Sequence, residues 1–293
     1  MRLDRRDFVK TGLAAAGLAG LNIAGAAQGY MVGCWTRPWT KMDYPIALDG
    51  IAAAGFHYVG LMTMTKGGKP ANITAETTPE HAAGLGEEAK KRGLRVISVW
   101  GGGFPFQKSH ADGVAGLKRL VDNCVACGSP TLLLGGVSKP EQTDPYYQVV
   151  KECCDYAASK KVALLVKPHG GTNSTGADCR KIIEKVGHRN FRIFYDPGNI
   201  YYYSDGKIDP VEDAPSVNGL VGGMIIKDFK MPKEVLVTPG TGMVKFAEVL
   251  AKLRKGGFRS GPVVVECLDP GDATETNAQA KKARIFVDKL VKG

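Results

Sequence analysis

Four stretches of this chain carry an apolar run into residues able to do proton-transfer or electrostatic work. VALLVKPHGG ends on Lys167 and His169, FRIFYDPGN on Asp196 and Asn199, MIIKDFK on Lys227 and Asp228, and GPVVVECLD on Glu266. An amine and two carboxylates brought together could remove a proton next to a carbonyl and hold the oxyanion that develops. Lys167, Asp196, Glu266 and His169 are the candidate catalytic residues. A structural reading stands beside each role. Lys167, Asp196 and Glu266 make a salt bridge in a barrel without activity, and His169 makes a hydrogen-bonded strand end. Lys227 and Asp228 serve each other or a loop, with Lys227 and Asn199 also counted as substrate contacts. The PGTG of residues 239–242 is a turn whose backbone N–H groups could bind an anionic or hydroxyl-rich ligand.

Eight apolar runs bounded by turn residues must place those groups. They predict strands over 30–36, 58–63, 95–100, 131–135, 162–166, 192–195, 223–226 and 262–267. Between them lie stretches with apolar residues at helical spacing, such as Leu117, Leu120, Val121 and Cys124, or Phe246, Val249, Leu250 and Leu253. Gly55, Gly93, Gly128 and Gly187 mark helix ends. Strand–helix alternation indicates a parallel sheet, and eight strands indicate a closed (β/α)₈ TIM barrel of one domain. An open, doubly wound sheet is the weaker alternative, because no G-x-G-x-x-G follows the first strand. In a barrel the strands' C-terminal ends form the active face, which is where the four chemical stretches end.

Aromatic residues near other strand ends suit a carbohydrate, whose C–H faces stack on rings while its hydroxyls need polar partners. Trp35 and Trp39 after the first strand, Trp100 at the end of the third, and Phe104 are the expected sugar contacts. Phe106 is expected in the core, and Tyr201–Tyr203 either line the rim or rest on a helix.

Residues 1–26 read differently from the rest. RLDRRDFVK with adjacent arginines precedes a short Ala/Gly-rich apolar stretch and an A-G-A that suits cleavage. This pattern is that of a twin-arginine export signal, leaving a barrel over residues 27–293 in the periplasm or beyond. The apolar stretch is too weak to span a membrane, which takes about 20 strongly apolar residues, so no span is expected once the signal is removed. The net charge is +10, and the first 26 residues hold four basic and two acidic side chains, leaving +8 for the remainder. Those charges are scattered singly with no aromatic-laced basic stripe, which excludes a nucleic-acid partner and leaves a small-molecule carbohydrate. Seven cysteines in a chain of 293 residues form no disulfide framework, and the C-x-x-C of Cys124 and Cys127 falls in a helix as packing.

The order of YDPGN, the KD pair followed by VTPGTG, and the final G-x-V-x-V-E resembles the xylose-isomerase-like barrels of the sugar phosphate isomerase/epimerase family. The resemblance covers the whole chain after the signal. It implies sugar isomerisation or epimerisation, commonly with a divalent metal on four ligands: Glu on strand five, Asp on six, His on seven and Glu on eight. Asp196 and Glu266 stand at two of those positions, but Lys167 takes the place of the strand-five Glu and Ile225 that of the strand-seven His. Lysine offers only donors and a positive charge, and isoleucine offers nothing, so no metal or other cofactor is expected. A divalent ion (Mn, Mg or Zn) on Asp196, Glu266 and His169 is the alternative left open. The function the resemblance implies is that of an exported isomerase- or epimerase-like protein, with Glu266 as base, Asp196 orienting the substrate, Lys167 stabilising negative charge and His169 assisting. A sugar-binding barrel that has lost its metal and its catalysis is the second reading, and a carbohydrate lyase the third.

Overall fold

The computed structural model describes residues 29–293. The proposed export signal therefore lies outside the described residues. Eight parallel strands close on themselves: β1 Tyr30–Trp35, β2 Tyr58–Leu61, β3 Arg95–Trp100, β4 Thr131–Leu134, β5 Ala163–Val166, β6 Phe191–Tyr195, β7 Val221–Ile226 and β8 Gly261–Val265. Each pairs with its neighbours in sequence, and β1 joins β8 through Tyr30–Gly261 to Cys34–Val265. A two-residue hairpin arm pair, Thr65–Lys66 with Lys69–Pro70, follows β2. All eight expected strands are present, with ends shifted by one or two residues.

The strands form because they are short, apolar and buried on both faces, as parallel strands must be between a barrel interior and a helical jacket. Main helices of that jacket are α1 Tyr44–Ala53, α2 Pro79–Lys90, α3 His110–Cys127, α4 Thr143–Ser159, α5 Gly176–Val186, α6 Pro197–Tyr203, α7 Pro210–Asp213, α8 Phe246–Lys255 and α9 Ala273–Lys292. Helix starts are chemically marked. Ser109 caps α3, and capping boxes of Thr175 with Asp178 and Asp272 with Glu275 open α5 and α9. At the other ends, Gly128 and Gly187 adopt left-handed backbone with φ of 80° and 67°. Among the described residues no helix is long and apolar enough to cross a membrane.

Alternate strand residues point inward, and together they fill the barrel. Met31, Trp35, Ile97, Leu133, Ala163, Leu165, Phe194, Ile225 and Val264 make this interior cluster. Trp35, named above as a sugar contact, belongs to it. Its ring is fully buried, 6.4 Å from Phe194, and covers Gly60 so closely that a Cβ there would come within 2.3 Å of it. A glycine on β2 thus makes room for a tryptophan from β1, and that expectation for Trp35 is corrected.

Trp39 and Phe104 are corrected likewise. Trp39 is buried where α1 meets α9, its indole N–H donating to Asn277 Oδ1 at 3.0 Å. Phe104 stacks on Tyr146 with ring centres 4.6 Å apart, and Phe106 packs edge-on against both. Lying next to a strand end in sequence did not turn these rings toward the mouth; each found a larger apolar surface against a helix. Seven free cysteines, all buried, include Cys124 and Cys127 on α3, whose thiols face packed surroundings.

Candidate functional site

One step above the interior layer, on the same inward-facing parity, the strands change chemistry. Leu165, Phe194, Ile225 and Val264 are followed two residues later by Lys167, Asp196, Lys227 and Glu266. All four are buried, and they meet at the C-terminal mouth of the barrel. Lys167 Nζ lies 2.7 Å from Glu266 Oε2 and 3.4 Å from Asp196 Oδ2. Lys227 Nζ lies 2.6 Å from Glu266 Oε1 and 3.3 Å from Asp196 Oδ2. Arg37, just after β1, adds a third cation with its guanidinium 2.6 Å from Glu266 Oε1. The cluster therefore sets two carboxylates among three cationic side chains.

The YDPGN segment builds much of this arrangement. Asp196 caps α6 by accepting the Asn199 backbone N–H at 3.0 Å, and Pro197 occupies the first helical position. Gly198 lets Lys227 lie against the helix, since a Cβ there would sit 2.5 Å from the Lys227 carbonyl oxygen and 2.7 Å from its Cγ. Asn199 then ties two strands together: its side-chain amide donates to Pro168 O at 2.7 Å and its Oδ1 accepts from Lys227 Nζ at 3.0 Å. On β5, Asn173 holds the turn by donating to the carbonyls of Lys167 (2.7 Å) and Gly135 (2.9 Å).

Charges in this enclosure do not behave alike. Lys167 is lowered from its ordinary value because burial disfavours the ammonium, with Lys227 adding to the fall and Glu266 only partly opposing it. Lys227 is also penalised by burial, but the pull of Asp196 and Glu266 outweighs the penalty and its value rises. Burial would raise the Glu266 carboxyl, yet Lys167, Lys227 and Arg37 together hold it well below the usual carboxylate range. His169 stands at the rim, its ring 5.3 Å from that of Trp100 and 5.9 Å from that of Tyr203. The residue keeps one edge exposed to solvent while the rest of its ring is enclosed; that partial loss of hydration, then the nearby Lys167 and Lys227, lower it to about 4, so it is neutral at physiological pH.

A cavity of about 280 Å³ opens over the cluster. Lys167, Lys227, Asn199, Glu266 and Arg37 line its floor, and Trp100, His169, Tyr202 and Tyr203 line its side. Of the aromatic residues expected to meet a sugar, Trp100 alone reaches it, with Lys167 Nζ 5.3 Å from its ring centre. Arg37 and Asn173 have no role in the reading of the sequence above, and of the two alternatives given there for Tyr201–Tyr203, Tyr202 and Tyr203 take the rim. The signal for Arg37 was its parity with Trp35, and for Tyr203 its place on the short helix that Asp196 caps.

Lys227 and Asp228 do not pair with each other. Lys227 turns into the cluster, while Asp228 accepts backbone N–H groups of Phe229, Gly240, Gly242 and Val244 at 2.8–3.0 Å. The N–H groups of Gly240 and Gly242, considered above as a ligand cradle, are thus spent on Asp228.

Do these residues suit a divalent ion? Every carboxylate oxygen facing the mouth is already in contact with an ammonium or guanidinium, Ile225 lies in the apolar layer below, and His169 leans among aromatic rings at the rim. Among the described residues, no three His, Cys, Asp or Glu side chains converge as a ligand set. An ion here would have to sit beside two or three fixed positive charges, so this donor set does not fit one.

Comparison with known proteins agrees with the barrel. Residues 48–290 match the model of the xylose isomerase-like TIM barrel family. No curated protein matches the chain significantly. Similar solved structures include a D-psicose 3-epimerase with D-tagatose from Clostridium cellulolyticum H10, with 14% identity over 89% of this chain and 99% of that one and a TM-score of 0.70. A xylose isomerase domain protein from Planctomyces limnophilus has 20% identity over 89% and 97%, with a TM-score of 0.66. A 3-keto-D-glucoside 4-epimerase from E. coli has 14% identity over 87% and 99%, with a TM-score of 0.64. With a closed eight-stranded barrel and a family match over most of its length, the chain belongs to the xylose isomerase-like TIM barrel family.

Proposed function

We propose that this protein moves a proton next to a carbonyl of a carbohydrate, as a sugar isomerase or epimerase does, at a site where fixed ammonium groups take the part of a metal. The observation that carries this reading is the convergence of Lys167, Lys227 and Arg37 on Asp196 and Glu266 at the floor of an open cavity. Neighbours of the same fold are named as sugar 3-epimerases and isomerases, which supports the substrate class.

The roles follow from the surroundings. Glu266, expected as the base, is held by three cations and is a weak proton acceptor; it anchors the amines together with Asp196. Lys167, its pKa lowered by burial and by Lys227, faces the cavity and, in its unprotonated form, is placed to take the proton from the carbon beside the carbonyl and to return it. Lys227 stays charged and, with Arg37, stabilises the oxygen as it gains negative charge in the enediolate. His169, neutral, and Asn199 offer hydrogen bonds to hydroxyl groups, and Trp100 offers a ring face.

Deuterium uptake from D₂O into a panel of ketoses and keto-sugars tests this. Exchange at the carbon next to the carbonyl is expected in at least one sugar, falling about 10²–10⁴-fold in Lys167→Met, the usual worth of a positioned acid–base group. A second reading, a sugar-binding barrel without catalysis, draws on the fact that the five charged groups already satisfy one another. Sugar binding with no exchange in any sugar would decide for it.

Export is part of the proposal, supported by the arginine pair and Ala/Gly-rich stretch of residues 1–26. Replacing Arg5 and Arg6 by Lys should keep the protein inside the cell; unchanged export would contradict it.

A further inference from the structure

Beyond the Arg37–Glu266 ion pair lies a second cavity, of about 490 Å³, larger than the one over the cluster. Its walls are mostly apolar: Pro38 and Met42 follow β1, Leu236 comes from the loop after β7, and Leu268 and Pro270 follow β8, with Thr40 and Lys41 as the further polar side chains besides the ion pair. Arg37 and Glu266 line both cavities, so the two lie side by side with the 2.6 Å ion pair between them. The β7 loop contributes to the division as well. Val235 faces the polar lobe and its neighbour Leu236 faces the apolar one.

That loop has a defined shape. Lys230 and Glu234 exchange backbone hydrogen bonds of 2.8 Å in both directions, and Asp228 holds its far end through Gly240 and Gly242. Leu236 nonetheless remains 42% exposed. A large apolar side chain kept in place over an open apolar lobe gains by having an apolar partner cover it.

We infer that the second lobe receives an apolar aglycone attached to the sugar held in the first, so that the substrate is a glycoside; this rests on the carbohydrate reading above. The polarity fits such a molecule from end to end. Charged and hydrogen-bonding groups gather on the side of Lys167 and Lys227, Arg37 and Glu266 stand at the junction, and prolines, leucines and a methionine lie beyond.

A chemical consequence follows. With an aglycone attached, the anomeric carbon is an acetal and offers no carbonyl. The carbonyl that acidifies the neighbouring C–H must then be a ketone at another ring carbon. A two-electron oxidation of a secondary ring hydroxyl, performed by a separate enzyme with its own hydride acceptor, would have to supply such a substrate. The step at this site is itself redox-neutral: a C–H proton leaves to Lys167, and a proton returns to carbon.

Calorimetric titration with matched methyl and phenyl glycosides of glucose, galactose and mannose, each as the parent glycoside and as its ring-ketone oxidation product, alongside the free sugars, tests the lobe. In at least one pair the phenyl glycoside should bind at least tenfold more tightly than the methyl glycoside. Leu236→Ser, at a half-exposed position and with its fold checked by thermal melting, should bring that ratio below threefold. Equal affinities in every pair that binds, or a phenyl preference that survives both Leu236→Ser and Met42→Ser, would overturn the apolar lobe and leave the carbohydrate reading standing. Binding of none of the glycosides or free sugars would overturn both.

Discussion

Two layers of the barrel, built by the same four strands and only two residues apart, have opposite chemistry. Leu165, Phe194, Ile225 and Val264 fill the interior with no polar atom in their side chains, while Lys167, Asp196, Lys227 and Glu266 directly above carry four charges with almost no exposure. The backbone treats both alike, since strand parity points both sets inward. What differs is how burial is made tolerable: by close packing below, by mutual neutralisation above. The layer below is built to hold shape, and the layer above to hold charge where a ligand can reach it.

The largest effect should come from breaking the neutralisation. Lys227→Met removes the cation with the most partners and leaves Asp196 and Glu266 under-compensated, which should cost about 3–5 kcal/mol in denaturant unfolding. Adding Glu266→Gln to that variant should recover part of the loss; a double variant as unstable as the summed singles would mean that the two groups do not interact.

Overfilling the lower layer should cost less. Gly60→Ala forces a methyl group against the Trp35 ring and should destabilise by about 1–3 kcal/mol without altering the affinity of the mouth for sugars. An affinity change larger than the stability change would show that the layers are coupled.

Acid should separate the layers more gently. His169 sits at about 4 when folded against about 6.5 when unfolded, so the folded state binds fewer protons and stability falls as pH drops from about 6.5 toward 4. Glu266, held well below its unfolded value of about 4.3, contributes stability that is full above that value and is lost as pH falls further. His169→Gln should flatten the upper part of the pH–stability curve and leave the lower part in place. An unchanged curve would contradict the rim environment described for that ring.

Much of this was readable from the chain. Buried parallel strands appear as uninterrupted apolar runs, so VALLV and PVVVE announced themselves, and polar residues at their ends marked Lys167, Asp196 and Glu266 as neighbours in space. Direction was harder to read than position. Lys227 shares the inward parity of Ile225, yet an adjacent Asp228 offered an easy local partner, and only the fold shows that Asp228 is occupied by four backbone N–H groups. Trp35, Trp39 and Phe104 lie beside strand ends in sequence but turn to Gly60, Asn277 and Tyr146, partners 25 to 238 residues away that no local pattern reveals. Leu236 lies on a loop, where no repeating pattern fixes which way a side chain faces.

The most direct test asks whether the charged layer can take a divalent ion. Calorimetric titration of the wild-type protein with Mn²⁺, Mg²⁺ and Zn²⁺, with Asp196→Asn as the control, should show no stoichiometric binding that depends on Asp196. One equivalent of tightly bound ion, lost in Asp196→Asn, would contradict a mouth in which Lys227 and Arg37 supply the positive charge.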